Sequence, residues 1–197
     1  MTQQHQSIHI NLPAWLNEYT QSYTLSTNLN KRMDFVITAS KKNIEMKTGG
    51  PFAAAIFEIG TGKLISLGLN LVENQRLSIL HAEILAIALA QQALNTYDLD
   101  SNPETKYELI TSTEPCAMCL GAIPWSGVQR VVTGASSSTA EEIGFDEGAK
   151  PGNWQQALET RKIEVITQTQ QESAEQVLKQ YGFEGGLIYN SNKGKRM

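Results

Sequence analysis

The stretch 79–94 constrains the fold more than any other part of the chain. It is too long and too rich in Ala and Leu for a strand, and it is apolar nearly all round. Such a segment reads as a helix buried against a sheet. The first two strands of that sheet precede it. Residues 52–57 form a short apolar run after the breaker Gly49-Gly50-Pro51, and with 64–71 they flank the turn Gly60-Thr61-Gly62 as a hairpin. Further strands are predicted at 107–111, 128–133 and 163–167. Helices are predicted at 31–46, from Pro115 to Ile123, at 154–161 and at 173–181, with a helical turn over 139–143 ending at Gly144. In the first of these Met33, Val36, Ile37 and Ile44 mark one face, and Asn30 is the expected cap. Repeated strand–helix–strand units make the class α/β, with helices on both faces of a mostly mixed sheet. Residues 1–28 are polar, yet Leu12, Trp15, Leu16, Tyr19 and Tyr23 fall at helix-like spacing. They are expected to form an arm packed on a domain spanning 29–184, and Gly185-Gly186 sets off a C-terminal segment, 185–197.

A chain of 197 residues buries roughly 70% of its unfolded surface and needs neither disulfide nor metal merely to stay folded. Two cysteines make no disulfide scaffold, so a reducing cytosol is the expected setting. The longest greasy run, 84–90, is too short to span a bilayer, and residues 1–20 lack the basic-then-apolar pattern of a signal peptide. A net charge of −4 argues against a nucleic-acid polyanion as the main partner.

The chemistry concentrates in two short motifs. His81-Ala82-Glu83 opens the buried helix, and Pro115-Cys116-Ala117-Met118-Cys119 carries both cysteines. Cys116 and Cys119 are three apart and so share a helix face. Pro115 suits the first helical position, and the positive helix end favours thiolates, the form that binds metal. His81 and Glu83 are about 200° apart on an ideal helix, so they serve one pocket only at the helix mouth, which a loop at 75–78 allows. One His and two Cys leave the fourth position of a tetrahedral Zn²⁺ open for water. The rival readings are a redox Cys-x-x-Cys pair, half of a structural zinc site, and a core histidine satisfied by one hydrogen bond. A redox pair has no need of His-x-Glu, and a structural site lacks its fourth ligand, since His5 and His9 lie in the polar arm.

His-x-Glu followed by Pro-Cys-x-x-Cys resembles the zinc-dependent nucleobase deaminases of the cytidine-deaminase-like superfamily. The likeness extends from Gly49-Gly50-Pro51-Phe52 through the strand at Val131. It implies a three-layer α/β/α sandwich with a mixed five-stranded sheet, Zn²⁺ held by His81, Cys116 and Cys119, and Glu83 as the proton carrier. Thr113 to Ile123 is similar to the branch holding guanine, cytosine and tRNA adenosine deaminases. The segment Ala140 to Gly148, with Asp146 and Glu147 after Gly144-Phe145, resembles the guanine deaminases of this fold. That likeness puts Asn70 and Trp125 at substrate-binding positions and gives Glu147 a catalytic role. Phe52, Trp125 and Phe145 are candidates to stack on a purine, Asp146 is a further contact, and Ala82 is a candidate neighbour of the base.

The reaction so implied is guanine plus water giving xanthine and ammonia, by attack of zinc-bound hydroxide on carbon 2. Glu83 relays the proton and Glu147 serves the departing amino group. The rivals are deamination of a tRNA adenosine, deamination of another small ring (cytosine or a triazine), and a zinc-stabilised scaffold without turnover. A basic cluster, Lys193, Lys195 and Arg196, is all the chain offers an RNA. The resemblance also implies a homodimer, and in some guanine deaminases the C-terminal segment closes the neighbour's pocket. Leu187-Ile188-Tyr189 is the candidate for such a lid, against an ordinary surface tail.

Overall fold

The computed structural model describes residues 4–190. The basic cluster at 193–196 and the end of the C-terminal segment lie outside the described residues. The sheet comprises β1 (Ala53–Glu58), β2 (Leu64–Leu69), β3 (Tyr107–Thr113), β4 (Arg130–Ala135) and β5 (Glu164–Ile166), in the order β2-β1-β3-β4-β5. The tight turn at 60–62 makes β1 and β2 antiparallel, and β1 is antiparallel to β3 as well. β3, β4 and β5 are parallel, which requires crossovers. These are α5 (Ala117–Ser126) before β4, and α6 (Ser137–Glu142) and α7 (Trp154–Glu159) before β5. The mixed α/β sheet expected from the chain is present.

Strand side chains alternate between two cores. Ala53, Ala55 and Phe57 of β1, Ile110 of β3 and Val132 of β4 face α2 (Leu29–Glu45) and α8 (Gln171–Phe183). Ala54, Ile56, Leu109 and Val131 face α4 (Ala82–Leu94), α5 and α7. This period of two, covered by helices on each side, is the three-layer sandwich. The approach of α4 is set by one residue. A Cβ at Gly68 of β2 would lie 2.2 Å from the Ala82 carbonyl oxygen and 2.4 Å from the Ala86 nitrogen. Only glycine allows the helix this close, and the contact fixes the first turn of α4 against the sheet.

Boundaries moved where caps decide them. α2 begins before residue 31 because Asn28, not Asn30, is extended and accepts a bond from the Lys31 nitrogen at 3.3 Å. Pro115 is not the first helical residue, since Cys116 is itself the extended cap of α5. Residues 75–78 are not all loop: α3 (Val72–Gln75) ends in a left-handed Arg76. In the arm, α1 (Trp15–Gln21) buries Trp15 and Leu16, while Leu12 and Tyr23 of the expected pattern lie outside the helix. Among the described residues no helix is long and apolar enough to cross a membrane.

A buried charge triad fastens the arm and α2 to the sheet. Glu108 of β3, fully buried, pairs with Arg32 at 2.8 Å and Arg130 at 2.7 Å. Arg32 also donates to the Ser26 carbonyl at 2.9 Å. Removing the carboxylate leaves two guanidinium groups facing each other, one of them buried. Glu108→Ala should therefore destabilise the fold by ~3–5 kcal/mol, measured by urea unfolding.

Candidate active site

His81 precedes α4 as its cap, with an extended backbone (φ −71°, ψ 156°). That geometry removes the divergence that mid-helix spacing would impose, so the imidazole and the first-turn Glu83 reach one pocket. Cys116 caps α5 with ψ 172° and Cys119 lies one turn in. One donor atom each from His81, Cys116 and Cys119 falls within 4.8 Å of the others. Cys116 Sγ is 3.5 Å from His81 Nδ1, and Cys119 Sγ donates to Glu83 Oε2 at 3.3 Å.

The electrostatics identify what the trio is built to hold. A hydrogen bond from Cys119 and the nearby His81 hold the Cys116 thiol at about 4, against the opposing effect of burial. Cys119 is pushed far up, because the adjoining Cys116 sulfur, burial and the Glu83 charge all favour its protonated form. Burial pulls His81 down, but its bond to Cys116 and the charges of Glu83 and Cys116 outweigh that and raise it. Burial and the Cys116 charge raise Glu83. Several would-be anions share a space too small for all of them to be charged. A soft divalent cation resolves that conflict, and two sulfurs with one imidazole suit Zn²⁺.

His81 and Cys116 line a cavity of about 220 Å³ together with Phe52, Asn70, Glu83, Phe145, Asp146 and Glu147, while Cys119 is fully buried. Burial, then the charges of Cys116 and Glu83, push Glu147 up to about 8, partly offset by Lys150 and Ser137. Asn70 is buried and its Oδ1 has no hydrogen-bond partner. Phe52 and Phe145 meet edge-to-face with centroids 4.9 Å apart.

Nine of the eleven expected site residues line this cavity or supply its sulfurs and carboxylates; Trp125 and Ala82 depart. Trp125 is 83% exposed and lies outside the cavity, near Gly121 and Pro124. Six residues beyond Cys119 is about 240° around a helix, so the indole points away from the site of its own chain. Ala82 is buried between α4 and the sheet, within the core rather than on the cavity wall. Sequence reading missed Glu114, Ser78 and Asn190, which also line the cavity. Tyr189, read there only as part of a lid over a neighbour, lines the cavity of its own chain. Its hydroxyl bonds the Asn70 amide, and its ring lies 5.3 Å from that of Phe145.

Fold and cation site together define a class, the metallohydrolases in which three protein ligands leave one zinc position for water. Residues 26–135 match the family model of the cytidine and deoxycytidylate deaminase zinc-binding region. The chain belongs to that family, and Zn²⁺ is its cofactor. A solved guanine deaminase from Nitrosomonas europaea is 42% identical, with a TM-score of 0.87 over 92% of this chain and 100% of that one. Guanine deaminase of Bacillus subtilis is 38% identical over 111 residues, 56% of this chain and 67% of that protein. The tRNA-specific adenosine deaminase of the same organism is 38% identical over 94 residues, covering 48% and 54%.

Proposed function

We propose that this protein hydrolyses guanine to xanthine and ammonia. The observation that carries the reading is a second buried carboxyl, Glu147, lining the same small cavity as Glu83 and the cation ligands. Guanine presents N–H donors along its Watson–Crick edge, and a carboxyl accepts them through an unprotonated oxygen whether or not it is ionised. The unpartnered Asn70 Oδ1 is a further acceptor. A base without those donors would leave these groups unpaired and be rejected. The cavity volume is below the ~300–1,000 Å³ usual for drug-sized ligands, which suits a free base. Phe52 and Phe145 offer aromatic surfaces to its ring.

When bound, Zn²⁺ supplies a Lewis acid that brings the pKa of water towards ~7. Glu83 takes the proton of the attacking water and delivers it to a ring nitrogen as the oxygen adds at carbon 2. Glu147, held above its ordinary value chiefly by burial, is the acid that protonates the amino group, which leaves as ammonia. The hydroxyl on carbon 2 then becomes a carbonyl and gives its proton to the Glu83 carboxylate. Glu147→Ala should lower the rate by ~10²-fold or more with zinc content unchanged. Normal guanine kinetics in that variant would return the residue to a structural acidic turn.

Ammonia release from guanine, adenine, cytosine, triazines and tRNA tests the substrate. Guanine should be the best of these, and deamination of tRNA instead would favour the other relative. The net charge of −4 and the Tyr189 ring in the cavity wall both weigh against an RNA strand. Tyr189 and Asn190 of the C-terminal segment act, on this reading, as a cover for the pocket. Truncation after Gly186 should raise KM for guanine, and unchanged kinetics would dismiss a cover.

A further inference from the structure

We infer that Lys150 and Ser137 are positioning residues that fix which oxygen of Glu147 carries its proton. The inference rests on the proposed role of Glu147 and adds two residues to it, neither of which lines the cavity.

Lys150 Nζ lies 2.6 Å from Ser137 Oγ and 3.1 Å from Glu114 Oε2. Its charge also sits 4.5 Å from the centre of the Trp154 ring, and its side chain is only 10% exposed. The ammonium is thus held from three sides. Ser137 Oγ lies 3.2 Å from Glu147 Oε2, and the Ser137 backbone N–H donates to Glu114 Oε2 at 3.2 Å. Ser137 is therefore gripped by its main chain as well as its hydroxyl.

Donor chemistry gives this cluster a direction. An ammonium has hydrogens to donate and no lone pair to offer, whereas a hydroxyl can do either. At 2.6 Å Ser137 Oγ must accept from Lys150, so its own hydrogen is turned towards Glu147 Oε2. That oxygen becomes a fixed acceptor whether or not the carboxyl is protonated. The proton Glu147 carries is left to Oε1. A Lys150–Glu114 ion pair that served only stability would have no need to orient the hydroxyl touching a catalytic carboxyl. Without Lys150 nothing obliges the Ser137 hydroxyl to donate to Glu147, which then loses the bond that sets its orientation.

The test uses the zinc-loaded full chain and guanine. Lys150→Met keeps length and removes every donor, and Ser137→Ala removes one oxygen. Each should lower kcat by roughly 10- to 100-fold, the scale of a misplaced catalytic group, with KM, zinc stoichiometry and Kd for a non-reacting purine analogue within about threefold. Lys150→Arg, which keeps donors, should recover part of the loss. Acting in one relay, the two changes should not multiply in the double variant. If Lys150→Met fails to fold, Ser137→Ala carries the kcat test by itself. Inactive Glu147→Ala beside full-rate Ser137→Ala would overturn the inference alone. So would effects that multiply, or a loss confined to KM or thermal midpoint. Full rate in Glu147→Ala would remove the underlying reading, and this inference with it.

Discussion

Glu83→Gln should bind a full equivalent of zinc and release ammonia from guanine at least ~10²–10⁴-fold more slowly than the parent. Glutamine keeps the shape and an acceptor for Cys119, whose sulfur lies 3.3 Å from Glu83 Oε2. The three ligands are untouched, so metal binding has no reason to fall. What disappears is a group able to take a proton from water and give it up again. The side chain is buried in the first turn of α4, so no bulk-solvent base can reach the same atoms with the same geometry. Removing a buried carboxyl held above its usual range also relieves strain in the free protein. The thermal midpoint should match or exceed that of the parent. Metal analysis, a melt and an ammonia assay on one preparation decide the matter, and a rate within tenfold of the parent would remove Glu83 from its role.

Cys116→Ala should lose both the metal and the activity. Two ligands remain, on separate helices, and neither imidazole nor the remaining thiol alone holds zinc against the competing water. Zinc per chain should fall from about one towards zero. The polypeptide should nevertheless stay folded, because its two cores lie on opposite faces of the sheet and neither contains His81, Cys116 or Cys119. A cooperative melt without metal is the expected signature, and a variant that kept stoichiometric zinc would contradict the ligand set. This outcome separates the protein from small zinc domains, whose folding is metal binding.

Much of the site was legible because its members are neighbours in the chain. His81 and Glu83, and Cys116 and Cys119, are spaced so that one helix end presents each pair. The sheet was legible for a similar reason: alternating runs and a Gly-x-Gly turn are local. Tyr189 and Lys150 were not visible as site residues. Each is a single residue whose importance arises only when distant segments meet, Tyr189 against Asn70 and Lys150 against Ser137 and Glu114. A lone lysine before Pro151 looks like any solvated loop. Trp125, taken from the resemblance to guanine deaminases, lies exposed and outside the cavity of its own chain, because six residues of helical rotation carry it away from Cys119.

Both metal-binding motifs are helix beginnings, and α4 and α5 direct those ends at one point. Each end carries roughly half a positive charge, which favours the Cys116 thiolate before any ion arrives. Gly68 and the strand beneath keep α4 seated irrespective of what the imidazole holds. Stripping with a chelator and reloading should thus be a reversible exchange, with no refolding step between. Cobalt could then replace zinc as a coloured reporter of the same coordination sphere.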